Sequence, residues 1–232
     1  MRAGLSNGTQ NRYCASISII FKKAEKLGFI EAYPKFSWKT ESAGRPRFFN
    51  DDEVKKLDNF FRTDNHYSRY FWLKDFLTIG LYTGMRLSEI LLLKDGVAKI
   101  MSDEKGDEFI RLPKGKTKNG ESRDVPIYYH PDLVAAVHRV VATDFVYNHH
   151  IFHKAWRKAR RLIAPGDKDF TFHVTRHTCA SNLANKQNTN LKVIAEYLGH
   201  RSINTTTKYV HASHDAKKQA LAGLTYSYGE VA

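Results

Sequence analysis

Apolar residues along this chain recur mostly at helical spacing. Between Asn11 and Phe29, the positions Ala15, Ile19, Ile20, Ala24 and Leu27 share one helical face, and Gly28 and Pro34 mark its end. One amphipathic helix cannot bury its own face, so this one needs a partner surface. Lys39 to Phe49 holds Ser42, Gly44 and Pro46 among basic residues and reads as a linker. Asn50 stands three residues before Glu53, the spacing of a capping box, ahead of a helix through Val54, Leu57 and Phe61. A strongly apolar helix is predicted over residues 69–82. Thr83-Gly84 interrupts it, and residues 85–92 are helical again, with Arg86 in the first turn.

The period then changes. Residues 97–101, 109–112 and 123–127 are short and β-compatible, and the Asn119-Gly120 pair favours a hairpin turn between the last two. Helices return over 132–141, 151–163, 174–185 and 191–198, the last stopped by Gly199. A short helix is expected after Ser202, and the tail beyond Ala212 is partly helical. The predicted class is mainly α with a small antiparallel three-stranded sheet.

Length adds that 232 residues suffice for one full domain and a fragment. Charge adds more: 37 Lys and Arg against 24 Asp and Glu give +13, an excess that favours a polyanionic partner. Charge alone leaves membrane surfaces and acidic partners open as well. The two cysteines, Cys14 and Cys179, lie in apolar stretches and read as buried thiols of a reducing compartment. No apolar run reaches the roughly 20 residues that span a bilayer, and the N-terminus lacks a signal-peptide core.

Four segments carry candidate chemistry. In Thr83-Gly84-Met85-Arg86-Leu87-Ser88-Glu89-Ile90, an arginine at a helix start suits an anion, or simply pairs with Glu89 on the surface. In the hairpin from Lys114 to Pro126, Lys116 and Lys118 either reach a cleft or stay solvated. In His173-Val174-Thr175-Arg176-His177, His173 and Arg176 share a helix face. His173 and His177 also have zinc spacing, but no metalloprotease glutamate follows His173; His149, His150 and His153 have metal-like spacing without an acidic or cysteine partner. The fourth segment is Leu198-Gly199-His200 with Tyr209 nine residues on, in a basic, threonine-rich setting. One tyrosine among twelve is ordinarily a packing residue.

Taken together, TGMRLSEI, KTKNGESRDVPI, HVTRH and LGHRSINTTTKYVH occur in the order and spacing of the tyrosine recombinases, the phage-integrase family, and the resemblance covers about residues 50–212. Residues 11–35 resemble the last helix of that family's core-binding domain. The implied division is a C-terminal remnant of that domain plus linker at 1–44, and a catalytic domain with its tail at 45–232. The resemblance implies a site-specific recombinase that cuts and rejoins DNA through a 3′-phosphotyrosyl link. Arg86 and Arg176 would clamp the phosphate, with Glu89 supporting Arg86. Lys118 would protonate the leaving oxygen, Lys116 being the second choice. His173 would act as base or relay, His200 would contact the phosphate or position the tyrosine, and Tyr209 would be the nucleophile. Lys116, Arg123, Arg201 and Lys208 are expected DNA contacts. The implied partner is double-stranded DNA held by a homotetramer; metal, ATP and other cofactors are not expected. Ala216, Ala220, Leu221 and Leu224 are spaced like a short helix that docks on a neighbouring protomer or on its own domain. The implied location is the cytoplasm of a bacterium, with a bacterial or phage gene. A DNA-binding module without chemistry and a type IB topoisomerase are the competing classes; covalent trapping on DNA separates the first, sequence-independent relaxation the second.

Overall fold

The computed structural model describes residues 4–41, 46–117, 119–185, 187 and 189–209. The chain divides into two compact units, residues 1–44 and 45–232.

In the first unit, α1 (Asn7–Lys26) begins ahead of Asn11 because Ser6 caps it, its hydroxyl accepting from the Thr9 N–H. Part of the expected linker is ordered against this helix. Asn11 donates Nδ2 to the Lys39 carbonyl at 2.8 Å and accepts the Lys39 N–H at 2.9 Å, while Asn7 donates to the Thr40 carbonyl at 2.9 Å. Phe21 stacks on Tyr33 with ring centres 6.4 Å apart. One helix and one strap cannot cover every apolar side chain, and Ile19, Ile20 and Phe29 stay exposed.

In the second unit, α2 (Asp51–Thr63) opens on the expected box: Asn50 Oδ1 accepts the Glu53 N–H at 2.8 Å, and Glu53 Oε2 accepts the Asn50 N–H at 3.0 Å. The very apolar α3 (Phe71–Thr83) runs through the core, where Leu73, Phe76 and Ile79 are fully buried. Its Gly80 lets a neighbour approach closely, since an added Cβ would meet Thr175 Oγ1 at 2.7 Å. Gly84 ends α3 in the left-handed region (φ +62°), and α4 (Leu87–Lys94) leaves at 118° to it.

The strands β1 (Lys99–Ser102), β2 (Glu108–Leu112) and β3 (Arg123–Pro126) form an antiparallel sheet in the order β1-β2-β3. Ile110 pairs with Ile100 on one side and Val125 on the other, and Ile110 and Val125 are fully buried. Then come α5 (Pro131–Ala142), with proline in its first turn, α6 (His149–Ile163), α7 (Val174–Asn185), α8 (Leu191–Leu198), α9 (Ile203–Thr206) and a final 3-10 turn, Thr207–Tyr209. The architecture is mostly helical with one small sheet. Most buried apolar residues form one large core, and a second, smaller cluster gathers Cys179, Ala180, Ile194, Leu198 and Tyr209. Neither cysteine is in a disulfide. Among the described residues no single helix is long and apolar enough to cross a membrane.

Candidate active site

Two chain reversals create the acceptors around which the site is built. Gly84 and Gly199 both take the left-handed conformation that ends a helix (φ +62° and +67°), leaving main-chain carbonyls near each turn. Arg176 on α7 uses both. Its side chain donates Nη1 to the Gly84 carbonyl at 2.8 Å and Nη2 to the Leu198 carbonyl at 2.6 Å, and it is only 2% exposed. One guanidinium thus pins the TGMR and LGH segments to α7. Burial first, then Arg86 and Arg123, lowers its pKa to about 10, so it stays charged at neutral pH.

Arg86 is the N-cap residue of α4 rather than part of its first turn, with extended backbone (φ −71°, ψ 154°). Its N–H donates to Glu89 Oε2 at 2.9 Å and its Nη1 to Glu89 Oε1 at 2.8 Å. The i, i+3 pair open from the sequence therefore forms, but Glu89 is 2% exposed and is not a surface partner. Arg123 on β3 reaches the same carboxylate, donating Nη2 to Oε2 at 2.9 Å and Nη1 to the Tyr197 carbonyl at 3.1 Å. Its side chain is 8% exposed. Arg123, an expected DNA contact, thus has both terminal nitrogens engaged by the protein while also lining the cleft described below. The linked cluster holds three guanidiniums and one carboxylate, and therefore attracts an anion.

Tyr209 sits in the last turn, 6% exposed. Asn185 Nδ2 donates to its main-chain oxygen at 2.9 Å. Its hydroxyl is hydrogen-bonded to His177 Nδ1 at 2.5 Å. The His200 ring lies nearly parallel to the Tyr209 ring, 14° off with centres 6.5 Å apart, and His200 Nδ1 shares a hydrogen bond with Thr206 Oγ1 at 2.9 Å. His173 is exposed and meets His177 edge-on, 4.8 Å between ring centres. Burial, joined by neighbouring positive groups, depresses both His177 and His200 to about 4. Burial raises the Tyr209 hydroxyl against the opposing pull of Arg176 and Arg86. At neutral pH the centre is a protonated phenol beside neutral imidazoles, ringed by guanidinium charge.

An open cleft of about 500 Å³ lies over this cluster's outer side, lined by Arg86, Glu89, Asn119, Arg123, His200 and Arg201 among others. Asn119 at the hairpin tip donates to the Gly199 carbonyl, tying the β2–β3 loop to the LGH turn. Lys116, Arg201 and Lys208 are exposed. Lys118 lies outside the described residues, as do Ala216, Ala220, Leu221 and Leu224. His149 and His153 meet edge-on with ring centres 4.1 Å apart, yet no group of three or more His, Cys, Asp or Glu among the described residues is arranged to hold a metal ion.

The sequence matches the phage integrase family over residues 47–215. The chain belongs to that family. Among curated relatives, a tyrosine recombinase of Thermosipho africanus is 27% identical over 93% of this chain and 76% of its own length. The tyrosine recombinase XerD of Listeria monocytogenes is 29% identical over 90% of this chain and 73% of its own length. Among solved structures, the XerH site-specific recombinase bound to palindromic difH substrate superposes with a TM-score of 0.69 at 20% identity, covering 95% of this chain and 68% of that one; at that identity the likeness concerns the fold. This phage-integrase chain thus brings Arg86, Glu89, Arg176, His200 and Tyr209 to one place, with His173 reached through His177. Sequence reasoning weighed His177 only as a zinc partner and passed over Asn185 and Thr206. The i, i+4 spacing of His173 and His177 was the available signal, since it puts both rings on one face of α7.

Proposed function

We propose that this chain cleaves and rejoins DNA at specific sites through a 3′-phosphotyrosyl bond to Tyr209. The observation that carries this reading is the gathering of Tyr209 and His200 at the turn held by Arg176, with Arg86 on the adjoining cleft. A phosphodiester repels nucleophiles through its own charge, and attack adds more. Arg86 and Arg176 offset that charge from fixed positions, which lowers the barrier without a reorganisation cost. A tyrosine with a pKa near 10 needs an acceptor for its proton, and His173 serves as base or relay on this reading. His200 orients the phosphate or the phenol. Lys118 protonates the departing 5′-oxygen, which is otherwise a poor leaving group.

The phosphotyrosine conserves the bond that was broken, so a second 5′-hydroxyl reverses the step without ATP. The guanidiniums carry the charge that a divalent ion carries in many nucleases, so none is invoked. Lys116, Arg201 and Lys208 are exposed and suited to DNA phosphates. The partner is double-stranded DNA in the cytoplasm, held by a homotetramer whose C-terminal tails are exchanged between protomers. Residues 1–44 serve as the C-terminal part of a core-binding domain, and 45–232 as the catalytic domain.

The test uses a nicked suicide duplex selected for binding to this chain from a randomised pool. A detergent-resistant protein–DNA adduct should form in excess EDTA. Cleavage without an adduct, or abolished by EDTA, would favour a metal nuclease.

A further inference from the structure

We infer that His177 is the group that takes the proton from the Tyr209 hydroxyl during DNA cleavage. This deepens the proposed function, rests on Tyr209 as the nucleophile, and of the two roles given there to His173 leaves it the relay. The hydroxyl is hydrogen-bonded to His177 Nδ1 at 2.5 Å, and the two rings are 5.5 Å apart at 37°. His177 follows Arg176 directly on α7, so the group facing the nucleophile and the group pinning the site belong to one helix. Asn185, also on α7, fixes the Tyr209 main chain at 2.9 Å. Tyr209 is therefore held at both its hydroxyl and its main chain by residues of α7.

The chemistry of the pair agrees with this. Burial first, then His173 and Arg176, keeps the His177 ring neutral at pH 7, and in the tautomer protonated on Nε2 its Nδ1 accepts from the Tyr209 hydroxyl. That same depression keeps the proton on Tyr209 while the site is empty. A phosphodiester drawn to Arg86 and Arg176 brings negative charge to the cluster and raises the basicity of a nearby imidazole. His173, exposed and edge-on at 4.8 Å, is the outer ring of the pair and can pass charge toward solvent.

The step balances. The Tyr209 O–H bond breaks as the O–P bond forms, and its proton moves to His177 Nδ1. The P–O5′ bond breaks and the 5′-oxygen leaves with a proton from Lys118. On rejoining, the attacking 5′-hydroxyl gives its proton to Lys118 and the departing phenolate recovers one from His177.

The test is His177→Asn, which keeps a hydrogen-bond acceptor but cannot accept a proton. With the selected suicide duplex at saturation, adduct formation at pH 7 should fall about 100-fold or more. The deficit should shrink as pH rises toward the ionisation of the phenol, because an ionised tyrosine needs no base. Wild-type rate at pH 7, or the same deficit at every pH, would overturn the assignment. His177→Ala gives an independent measurement: added imidazole should restore adduct formation in proportion to its free base, and no restoration counts against the role. Tyr209→Phe in parallel separates the two claims. An adduct in that variant removes the nucleophile itself, whereas a silent Tyr209→Phe beside an undiminished His177→Asn removes only His177.

Discussion

Arg86 and Arg123 hold opposite oxygens of one buried carboxylate, that of Glu89, at 2.8 and 2.9 Å. The consequence is mechanical. Arg86 sits at the rim of the cleft, and its side chain is steadied by a carboxylate that is itself fixed from the sheet by Arg123. Arg123→Ala removes that support and leaves Glu89 less compensated in a buried place. It should lower unfolding free energy by about 3–5 kcal/mol in urea titrations. Arg123→Lys should recover only part of this, because one ammonium cannot serve both Glu89 and the Tyr197 carbonyl as a planar fork does. Full recovery by lysine would show that charge alone matters there.

Arg176 has a similar double duty. Its two terminal nitrogens bond carbonyls on two separate turns. Arg176→Lys keeps the charge but loses at least one of these bonds, leaving a buried carbonyl unsatisfied. A destabilisation of about 1–3 kcal/mol is expected by calorimetry, with adduct formation at least tenfold slower. An unchanged melting temperature would contradict the pinning role.

The two depressed histidines predict a pH dependence of stability. His177 and His200 are held near 4, against about 6.5 for an unconstrained histidine. In the window between those values the unfolded chain binds more protons than the folded one, so stability rises with pH there. Their contribution is complete above about 6.5 and is lost as pH falls toward 4. Melting temperatures measured from pH 7 down to 4 should decline, and His177→Asn should flatten the decline. A decline of equal slope in that variant would mean that other groups carry it.

Gly84 links backbone geometry to the site. A Cβ there would collide with Leu198 Cδ2, and φ is already +62°. Gly84→Ala should cost about 1–3 kcal/mol by denaturant titration, and should slow adduct formation as well, since the Gly84 and Leu198 carbonyls are the two acceptors of Arg176. A stable, fully active variant would show that the turn is tolerant.

Much of this was legible in the order of residues. Asn50 and Glu53 announced their helix start because a capping box is local, complete within four positions. The sheet could be read from Asn119-Gly120 and short β-branched runs for the same reason. What the sequence does not show is long-range. The pairing of Arg123 with Glu89 spans 34 positions, and its burial follows from tertiary packing. The sequence puts Arg86 inside the first turn of α4 because Thr83-Gly84 marks a boundary without saying which helix it ends; the left-handed Gly84 closes α3, and Arg86 caps the next. His177 hid behind metal-like spacing. Only the fold of the last turn brings Tyr209 back 32 positions to meet it.

The central claim is that Tyr209 becomes bonded to DNA. The adduct should be denatured, digested with trypsin and nuclease, and its nucleotide-bearing peptide sequenced by mass spectrometry. The predicted result is a nucleotide mass on the first residue of the peptide that follows Lys208, Tyr209, and no such peptide from Tyr209→Phe. The mass on any other residue, or an adduct persisting in Tyr209→Phe, would contradict it.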